Sequence, residues 1–236
     1  MVDAELKRLL AERIESVRSR IAEAARRSGR KAEAIQLVAV SKFHPLEDLL
    51  AAVDCGVDIL GESRVQEALS KREVWPEDKK VRWHLIGHLQ KNKARKAPEL
   101  FDLIESVDDI DLAETMERIL AEQERPTYPV LLEVNISGEA SKHGIQPDAA
   151  ESLLNDIRSR CPHLRVEGLM AIAAIQGDAR ISFTKLRELA ERLRLRTGLP
   201  LPELSMGMSG DFETAIEEGS TLVRVGTAIF GPRSVL

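Results

Sequence analysis

The sequence predicts a single-domain (β/α)₈ barrel. Eight short apolar runs alternate with seven charged segments of helical period, which is typical of a parallel sheet whose strands are joined by helices. Eight such strands are enough for the sheet to close on itself. The length of 236 residues lies in the range of one-domain barrels. The alternative is an open doubly wound sheet, but no glycine-rich dinucleotide turn follows the first apolar run.

An extra helix is expected ahead of the barrel. Residues from about 3 to 28 place apolar side chains at helical spacing, and Ser28-Gly29 ends the pattern. The barrel then occupies about residues 35–231 of one domain that spans 1–236. Its strands are predicted at Ile35–Val40, Val57–Leu60, Val81–Ile86, Phe101–Ile104, Val130–Val134, Leu164–Met170, Glu203–Met206 and Thr221–Val225. Its helices are predicted at Leu46–Val53, Val65–Val74, Leu89–Ala97, Leu112–Glu124, Asp148–Arg160, Phe183–Arg196 and Phe212–Glu217.

Composition limits the classes of function. The net charge of −5 argues against a general nucleic-acid binder or a membrane-surface protein, because both need a dominant positive field. The amino terminus is charged and no apolar stretch is long enough to cross a bilayer, so we expect a cytoplasmic protein. Cys55 and Cys161 lack metal-ligand or CxxC spacing and are expected to be free thiols.

Lys42 stands just past the first predicted strand, in the stretch Leu37–Pro45. In a barrel of this class the carboxyl ends of the strands form the rim where ligands bind. A lone lysine at such a place is most simply a solvated loop residue, since most lysines are exposed. Whether Lys42 has a functional role therefore depends on which residues follow the other predicted strands.

Two loops of small and hydroxyl-bearing residues follow the seventh and eighth strands. The first, Ser205–Asp211, contains Ser209, and the second begins with Gly226 and Thr227. Small residues let backbone N–H groups approach an anion, and hydroxyls donate to it. The loops after strands seven and eight are also the recurrent phosphate site of this fold. The sequence therefore predicts a phosphate site here.

A lysine that faces a phosphate site is what pyridoxal 5′-phosphate requires. Its aldehyde condenses with a lysine amine, and its phosphate anchors it without a covalent bond. Arg224 interrupts the apolar run Leu222–Val225, and arginine is almost never buried unpaired. We expect its side chain to point into the barrel mouth and lie against the pyridine nitrogen.

Several of these segments resemble a known family. They are Val38–Lys42, Gly61–Glu67, Trp83–Lys93, Val134–Gly144, Gly168–Met170 and Leu204–Ser209 through Gly219–Gly231, in matching order. The chain is similar to the pyridoxal phosphate homeostasis family, known as YggS or PROSC. The resemblance implies a barrel of the alanine-racemase N-terminal type, fold type III, with pyridoxal phosphate as a Schiff base on Lys42. It also implies that Ser209, Gly226 and Thr227 hold the phosphate and that Arg224 faces the ring nitrogen.

Four further positions are expected at the cofactor site, each at or just beyond a strand's carboxyl end. They are Ser63, Asn135, Met170 and Met206. Taken singly, each is as well explained as a cap or turn residue. Ser63 stands where the family usually has asparagine, which puts its cofactor contact in doubt. Lys142, by its position after strand five, is a place where a second molecule could be held.

The sequence favours a carrier over an enzyme. Racemases of this fold use a tyrosine from a second domain, and Tyr128, the only tyrosine here, should lie at the opposite end of the barrel. His84, near the end of strand three, and His88 are the remaining candidate acid or base groups, and a lone histidine is more often structural. The hypothesis is that the protein holds pyridoxal phosphate and hands it to apo-enzymes that need it. An amino-acid racemase or lyase with an unrecognised base is the alternative.

Other functions and the assembly state stay open. A basic run leaves an RNA-binding or partner-binding surface as a minor hypothesis, although such runs are usually solvated helix faces. Its members are Lys91, Lys93, Arg95 and Lys96. A metal site on His84 and His88 is weaker, because on a strand and a turn they would not share a helical face. We expect a monomer or weak dimer, with the leading helix covering the barrel or meeting a partner chain.

Overall fold

The computed structural model describes residues 4–139 and 142–232. Its centre is a closed barrel of eight parallel strands in chain order, with the last strand paired to the first. This confirms the predicted (β/α)₈ barrel. The strands are β1 Gln36–Val40, β2 Ile59–Glu62, β3 Arg82–Leu85, β4 Leu103–Val107, β5 Tyr128–Glu133, β6 Leu164–Met170, β7 Glu203–Ser205 and β8 Leu222–Val225.

Helices surround the barrel. They are α1 Ala4–Arg27, α2 Leu46–Asp54, α3 Val65–Arg72, α4 Ala97–Leu100, α5 Ile110–Glu122, α6 Ala150–Arg160, α7 Ala179–Thr197, α8 Phe212–Glu217 and α9 Thr227–Phe230. One-turn 3₁₀ helices lie at Ala32–Ala34, Lys91–Lys93 and Pro147–Ala149. Within the described part of the chain, no helix is long and apolar enough to span a bilayer. Cys55 and Cys161 are free thiols.

The strands are covered on both faces, which explains their near-continuous apolar runs. A large core lies between strands and helices, and a small cluster fills the inside of the barrel. The inside cluster consists of Val38, Ile59, Leu103, Leu131, Met170 and Leu222. Side chains two apart on a strand share a face, so Glu105, Glu133 and Arg224 also point inward, nearer the carboxyl ends. The barrel therefore has an apolar floor and a charged layer below its mouth.

Helix α1 covers the seam where β1 meets β8. It packs against α2, α8 and α9, the helices that follow the first strand and flank the last. Its buried side chains are Leu10, Ile14, Val17, Ile21, Ala24 and Ala25. Arg20 adds a two-pronged ion pair with Glu213 of α8, at 2.7 and 2.9 Å. Of the two predicted uses of the leading helix, the structure shows the covering of the barrel.

Several predicted boundaries differ from the structure, and one short helix was not predicted. The helix predicted at 89–97 is broken into a 3₁₀ turn and α4, because Pro98 lacks an N–H and begins a helix rather than continuing one. The fourth strand, predicted at 101–104, forms at Leu103–Val107 and so includes Glu105. A short helix, α9, follows Gly226. The predicted start of the first helix at residue 3, and residues 140–141 of one resembling segment, lie outside the described residues.

Candidate functional site

Lys42 lies on a tight turn two residues beyond β1, and it is half-buried. The Ser41 N–H donates to the carbonyl oxygen of Gly61 at 3.0 Å, and the His44 N–H donates to that of Ser41 at 3.1 Å. Phe43 has a φ of 66°, in the left-handed region that residues other than glycine seldom adopt. The turn thus sets the lysine at the rim of the barrel with little backbone freedom.

A buried ammonium group holds this turn from below. Lys71 of α3 donates to the carbonyl oxygen of Ser41 at 2.8 Å and to Glu62 and Glu67 at 2.7 and 2.8 Å. The Ser41 hydroxyl donates to Glu62 at 2.6 Å, and the Phe43 N–H donates to Glu67 at 2.5 Å. Burial raises the pKa of Glu62, while the charge of Lys71 opposes that shift. The network thus holds Ser41 and Phe43, the residues on either side of Lys42, by hydrogen bonds.

The three predicted phosphate-binding residues lie together beyond β7 and β8. The Ser209 hydroxyl oxygen accepts the N–H groups of Gly226 and Ala228, at 3.3 and 3.4 Å. Thr227 lies between these two amides and is exposed. Backbone N–H groups that converge on one point form a concavity suited to an anion. We refer to Ser209 and Gly226–Ala228 as the anion cradle.

The anion cradle touches the strand that carries the lysine. A Cβ built on Gly226 would lie 3.3 Å from both the Cβ and the carbonyl oxygen of Val40, so only a glycine fits comfortably. Gly207, in the loop before Ser209, has a φ of +95°, and its Cβ would lie 2.6 Å from that of Ala215. Small residues are therefore required at both loops by close backbone packing.

Arg224 lies inside the barrel with 4% of its surface exposed. It donates to the Ser205 hydroxyl at 2.6 Å and to the Ala171 carbonyl oxygen at 2.9 Å, both near the carboxyl ends of their strands. Burial lowers the pKa of Arg224, against the charges of Glu105 and Glu133. The guanidinium group therefore lies inside the barrel, just below the carboxyl ends of the strands. This is the end of the barrel toward which the sequence analysis expected Arg224 to point.

A buried polar chain continues from Arg224 across the barrel. The Ser205 hydroxyl donates to Glu105 at 2.5 Å, and the other oxygen of Glu105 lies 2.8 Å from His84 Nδ1. Burial alone would raise the pKa of Glu105, but the hydrogen bond to His84 and the charges of His84 and Arg224 lower it overall. This chain of charges and hydrogen bonds fixes the position of the arginine.

Glu133, the last residue of β5, was not anticipated from the sequence. It is 7% exposed, and its Oε2 atom has no hydrogen-bond partner among the described residues. Burial raises its pKa to about 7, the charge of Asp108 adds to this shift, and that of Arg224 opposes it. Glu133 interrupts the apolar run 130–134 just as Arg224 interrupts Leu222–Val225. The sequence pattern that identified Arg224 could therefore have identified Glu133 as well. Glu105 was missed because the predicted fourth strand ended at Ile104, three residues before its observed end at Val107.

The structure separates the two methionines expected at the site. Both are fully buried, but Met170 belongs to the cluster inside the barrel and Met206 to the core around it. Ser63 lines a cavity of about 440 Å³ at the rim together with His88 and His143. Met170 and Ser63 are thus on the mouth side of the barrel wall, and the Met206 side chain is not.

Asn135 and Lys142 organise the loop after β5. The Asn135 amide donates to the carbonyl oxygens of Glu139 and Lys142, at 2.9 and 3.2 Å. The Lys142 ammonium donates to Glu139 at 2.8 Å and to the Ala173 carbonyl oxygen at 2.7 Å. Both side chains are engaged in holding the loop, which borders a cavity of about 190 Å³ beside Glu133.

The three side chains weighed as acid or base groups lie at different levels of the barrel: Tyr128 at the amino end, His84 inside and His88 at the rim. Tyr128 begins β5 and donates to the carbonyl oxygen of Phe101 at 2.6 Å, at the amino end as expected. His84 is the last residue but one of β3, as predicted, and its buried side chain lies between Glu105 and a cavity at the amino end lined by Arg82 and Pro129. The group of possible metal ligands that contains His88 does not include His84.

The basic run is largely paired with carboxylates. Three of its four members form ion pairs at 2.6–3.0 Å, namely Lys91 with Asp111, Arg95 with Glu122 and Lys96 with Glu99. Ion pairing of this kind reduces the positive field that a nucleic-acid surface needs.

Comparison with known proteins agrees with this geometry. The model of the alanine racemase N-terminal domain family matches residues 14–234. The pyridoxal phosphate homeostasis protein of Aquifex aeolicus is 40% identical over 225 residues, covering 94% of this chain and 97% of that protein. The protein of the same name from Pseudomonas aeruginosa is 42% identical over 230 residues, covering 95% and 96%.

Solved structures extend the likeness to three dimensions. PipY of Synechococcus elongatus, solved with PLP bound, has a TM-score of 0.82 at 37% identity and covers 94% of this chain and 100% of that one. Alanine racemase of Clostridium difficile has a TM-score of 0.74 at 14% identity, covering 98% of this chain and 57% of the racemase. The racemase likeness shows the fold alone.

Proposed function

Because this chain belongs to the pyridoxal phosphate homeostasis protein family, whose fold is that of the alanine racemase N-terminal domain, we propose that it holds pyridoxal 5′-phosphate as a Schiff base on Lys42 and serves cofactor supply in the cell. When bound, the cofactor supplies an aldehyde for the amine and a phosphate for an anion site. The residues present fit such a molecule.

The observation that carries this proposal is the contact between the anion cradle and β1. Gly226 packs on Val40, two residues before the lysine, so an amine and a set of converging N–H groups lie on adjacent strand ends. The cradle residues Ser209, Gly226 and Thr227 would hold the phosphate. Arg224 would face the ring nitrogen, since it lies inside the barrel and is held by Ser205. Met170 and Ser63, on the mouth side, would border the ring, and Asn135 and Met206 would act through the backbone that they hold.

The test is absorbance and chemical trapping. Purified protein is incubated with pyridoxal phosphate, treated with borohydride and digested, and the pyridoxyl group is located by mass spectrometry. We expect a Schiff-base absorbance band and a label on Lys42, both lost in Lys42→Ala. Lys142→Ala is the matched control, a second lysine at the rim whose ammonium is already engaged by Glu139. A colourless protein, or a label unaffected by Lys42→Ala, overturns the assignment.

We also propose that the loaded protein delivers the cofactor to apo-enzymes in the cytoplasm. The half-buried position of Lys42 at an open rim supports release as well as binding. Mixing the loaded protein with an apo-enzyme that depends on pyridoxal phosphate should restore its activity, in the presence of a trap for free cofactor. Failure to restore activity while free cofactor succeeds removes the delivery role.

One observation favours a second candidate, an amino-acid racemase or lyase. Glu133 lies at the carboxyl end of β5 with an unpartnered oxygen, and a pKa of about 7 suits a group that takes up and releases protons at neutral pH. Incubation with single amino acids in deuterated water would show α-proton exchange that Glu133→Gln abolishes. Exchange no faster than that of free cofactor removes this candidate.

The apolar face of α1 also supports a monomer or weak dimer, because it is buried against the chain's own barrel. Analytical ultracentrifugation over a range of concentrations tests this. A tight dimer would contradict it.

A further inference from the structure

Three side chains that the proposed cofactor site does not use converge on another part of the rim. His88 follows β3, Asp108 follows β4, and His143 lies in the loop after β5. Their nearest imidazole nitrogen and carboxylate oxygen atoms all lie within 4.8 Å of one another. In the closed order of strands, this group lies across the mouth from β7 and β8. It is therefore separate from the anion cradle.

The two histidines are already paired in space. Their rings stack with centroids 4.4 Å apart and planes inclined by 12°. His143 is exposed, and the His88 side chain is 35% exposed, so the rings can turn without disturbing the core. The backbone beside His143 is fixed, because Gly144 has a φ of +109° and its Cβ would lie 2.6 Å from the Asn135 nitrogen.

Asp108 supplies a second, independent observation, which is a buried carboxylate oxygen without a hydrogen-bond partner among the described residues. Its side chain is 13% exposed, and one carboxylate oxygen accepts the Gly144 N–H at 3.3 Å and lies 3.8 Å from His88 Nδ1. The other oxygen is fully buried without a hydrogen-bond partner among the described residues. A buried carboxylate oxygen without a partner is costly, and a metal ion is one group that would remove that cost.

We propose that His88, Asp108 and His143 bind a divalent transition-metal ion of the Zn²⁺ class. Two imidazole nitrogens and one carboxylate suit zinc and its neighbours, whereas Mg²⁺ and Ca²⁺ prefer oxygen ligands. Bond lengths of about 2.0–2.1 Å in a tetrahedral site bring ligand atoms to about 3.4 Å from one another. The ring rotations available to two exposed histidines cover the difference from 4.8 Å. Three protein ligands leave the fourth position open toward the mouth.

The site extends beyond cofactor supply and does not depend on Lys42. It also differs from the sequence hypothesis of a His84 and His88 site, because His143 and Asp108 come from other loops. Neither His88 nor His143 is tied into the core, so alanine variants at both positions are expected to fold normally.

The experiment is titration of the chelator-treated full chain with Co²⁺, followed by visible absorbance and by competition with Zn²⁺. We expect one ion per chain with a tetrahedral spectrum. His88→Ala, His143→Ala and Asp108→Asn should each weaken binding at least about 100-fold. His163→Ala is the matched control, since His163 is paired with a single carboxylate, that of Glu117. Cys55→Ser removes the partly exposed thiol, the most accessible competing ligand.

Binding that survives in the two controls and is lost in the three ligand variants supports the site. Binding that is unchanged in the His88→Ala and His143→Ala variants overturns it, as does binding that disappears only with Cys55→Ser. Absence of any saturable Co²⁺ or Zn²⁺ binding also overturns it. Circular dichroism of each variant shows that lost binding is not lost folding.

Discussion

The Lys71 ammonium donates a 2.8 Å hydrogen bond to the carbonyl oxygen of Ser41, the residue directly before Lys42. The donor comes from α3, after the second strand, and the acceptor from the turn after the first. The backbone conformation around Lys42, the proposed Schiff-base lysine, is thus imposed by the next β/α unit of the barrel. A backbone held in this way limits where the lysine side chain can start, which is how a rigid scaffold positions a reactive group.

Replacing Lys71 tests this positioning. Lys71→Met leaves the buried Glu62 and the half-buried Glu67 without their cation, and the free energy of unfolding should fall by about 3–5 kcal/mol. Urea unfolding measures it. Lys185→Met, at an exposed helix position, should change stability by less than about 0.5 kcal/mol. Because lost stability alone could impair binding, borohydride trapping of Lys42 is compared at a temperature where both variants stay folded. Trapping equal to the parent protein's would remove the positioning role.

The Ser209 hydroxyl should matter for a phosphorylated ligand only. Ser209→Ala removes the oxygen that organises the Gly226 and Ala228 amides, and a lost hydrogen bond to a charged group weakens binding about 10-fold or more. The dissociation constant for pyridoxal phosphate should rise by that factor, while that for pyridoxal stays the same. Equal weakening of both ligands would place Ser209 outside the phosphate site. Ser70→Ala, on an exposed helix face, is the control.

Two glycines of one loop, Gly207 and Gly210, should differ in their response to substitution by alanine. A Cβ on Gly207 meets Phe212 Cα at 2.9 Å at a φ of +95°, whereas a Cβ on Gly210 meets nothing within 4 Å. Gly207→Ala should therefore destabilise the fold by about 1–3 kcal/mol and weaken phosphate binding, and Gly210→Ala should do neither. Thermal unfolding and ligand titration of both variants decide this, and similar behaviour of the two would contradict it.

Glu133 predicts a pH-dependent stability. The folded protein keeps its proton up to about pH 7, whereas the unfolded chain releases it near the ordinary value of 4.5. The folded state binds more protons in this window, so the contribution of Glu133 to the free energy of unfolding falls as pH rises, by about 3 kcal/mol in total. Glu133→Gln lacks this loss. The stability of the variant relative to the parent, measured by urea unfolding with a chelator present, should increase from pH 5 to pH 8. A difference independent of pH would show that Glu133 is ionised throughout.

The sequence was informative wherever one strand could be considered by itself. The period of the apolar runs predicted every strand, and Lys42, Ser209, Gly226 and Arg224 were each proposed from a place at a strand end that the structure reproduces. This worked because in a parallel barrel the carboxyl ends all meet at one rim, so position along a strand already gives position in space.

Relations between distant loops were beyond that reasoning. One such relation is the hydrogen bond from Lys71 to Ser41, and another is the cluster of His88, Asp108 and His143. Both depend on side-chain directions and on the stagger of the strands, which no local sequence pattern contains. The fourth strand was predicted to end at Ile104 and ends at Val107, so the prediction placed Glu105 in a loop.

The pairing of β1 with β8 has a consequence for how the protein is made. β1 gains its second neighbour only after residues 222–225 have left the ribosome, since Ala39 pairs with Val225. The proposed cofactor site spans that same junction, so it forms only after the long-range contact between β1 and β8 has been made. A ligand that contacts both strands stabilises the folded state. At a free ligand concentration one hundred times its dissociation constant, the free energy of unfolding rises by about 2.7 kcal/mol. Newly made chains would therefore bind the cofactor only after β8 has formed. A lower concentration of free cofactor would first reduce the stability of the β1–β8 pair.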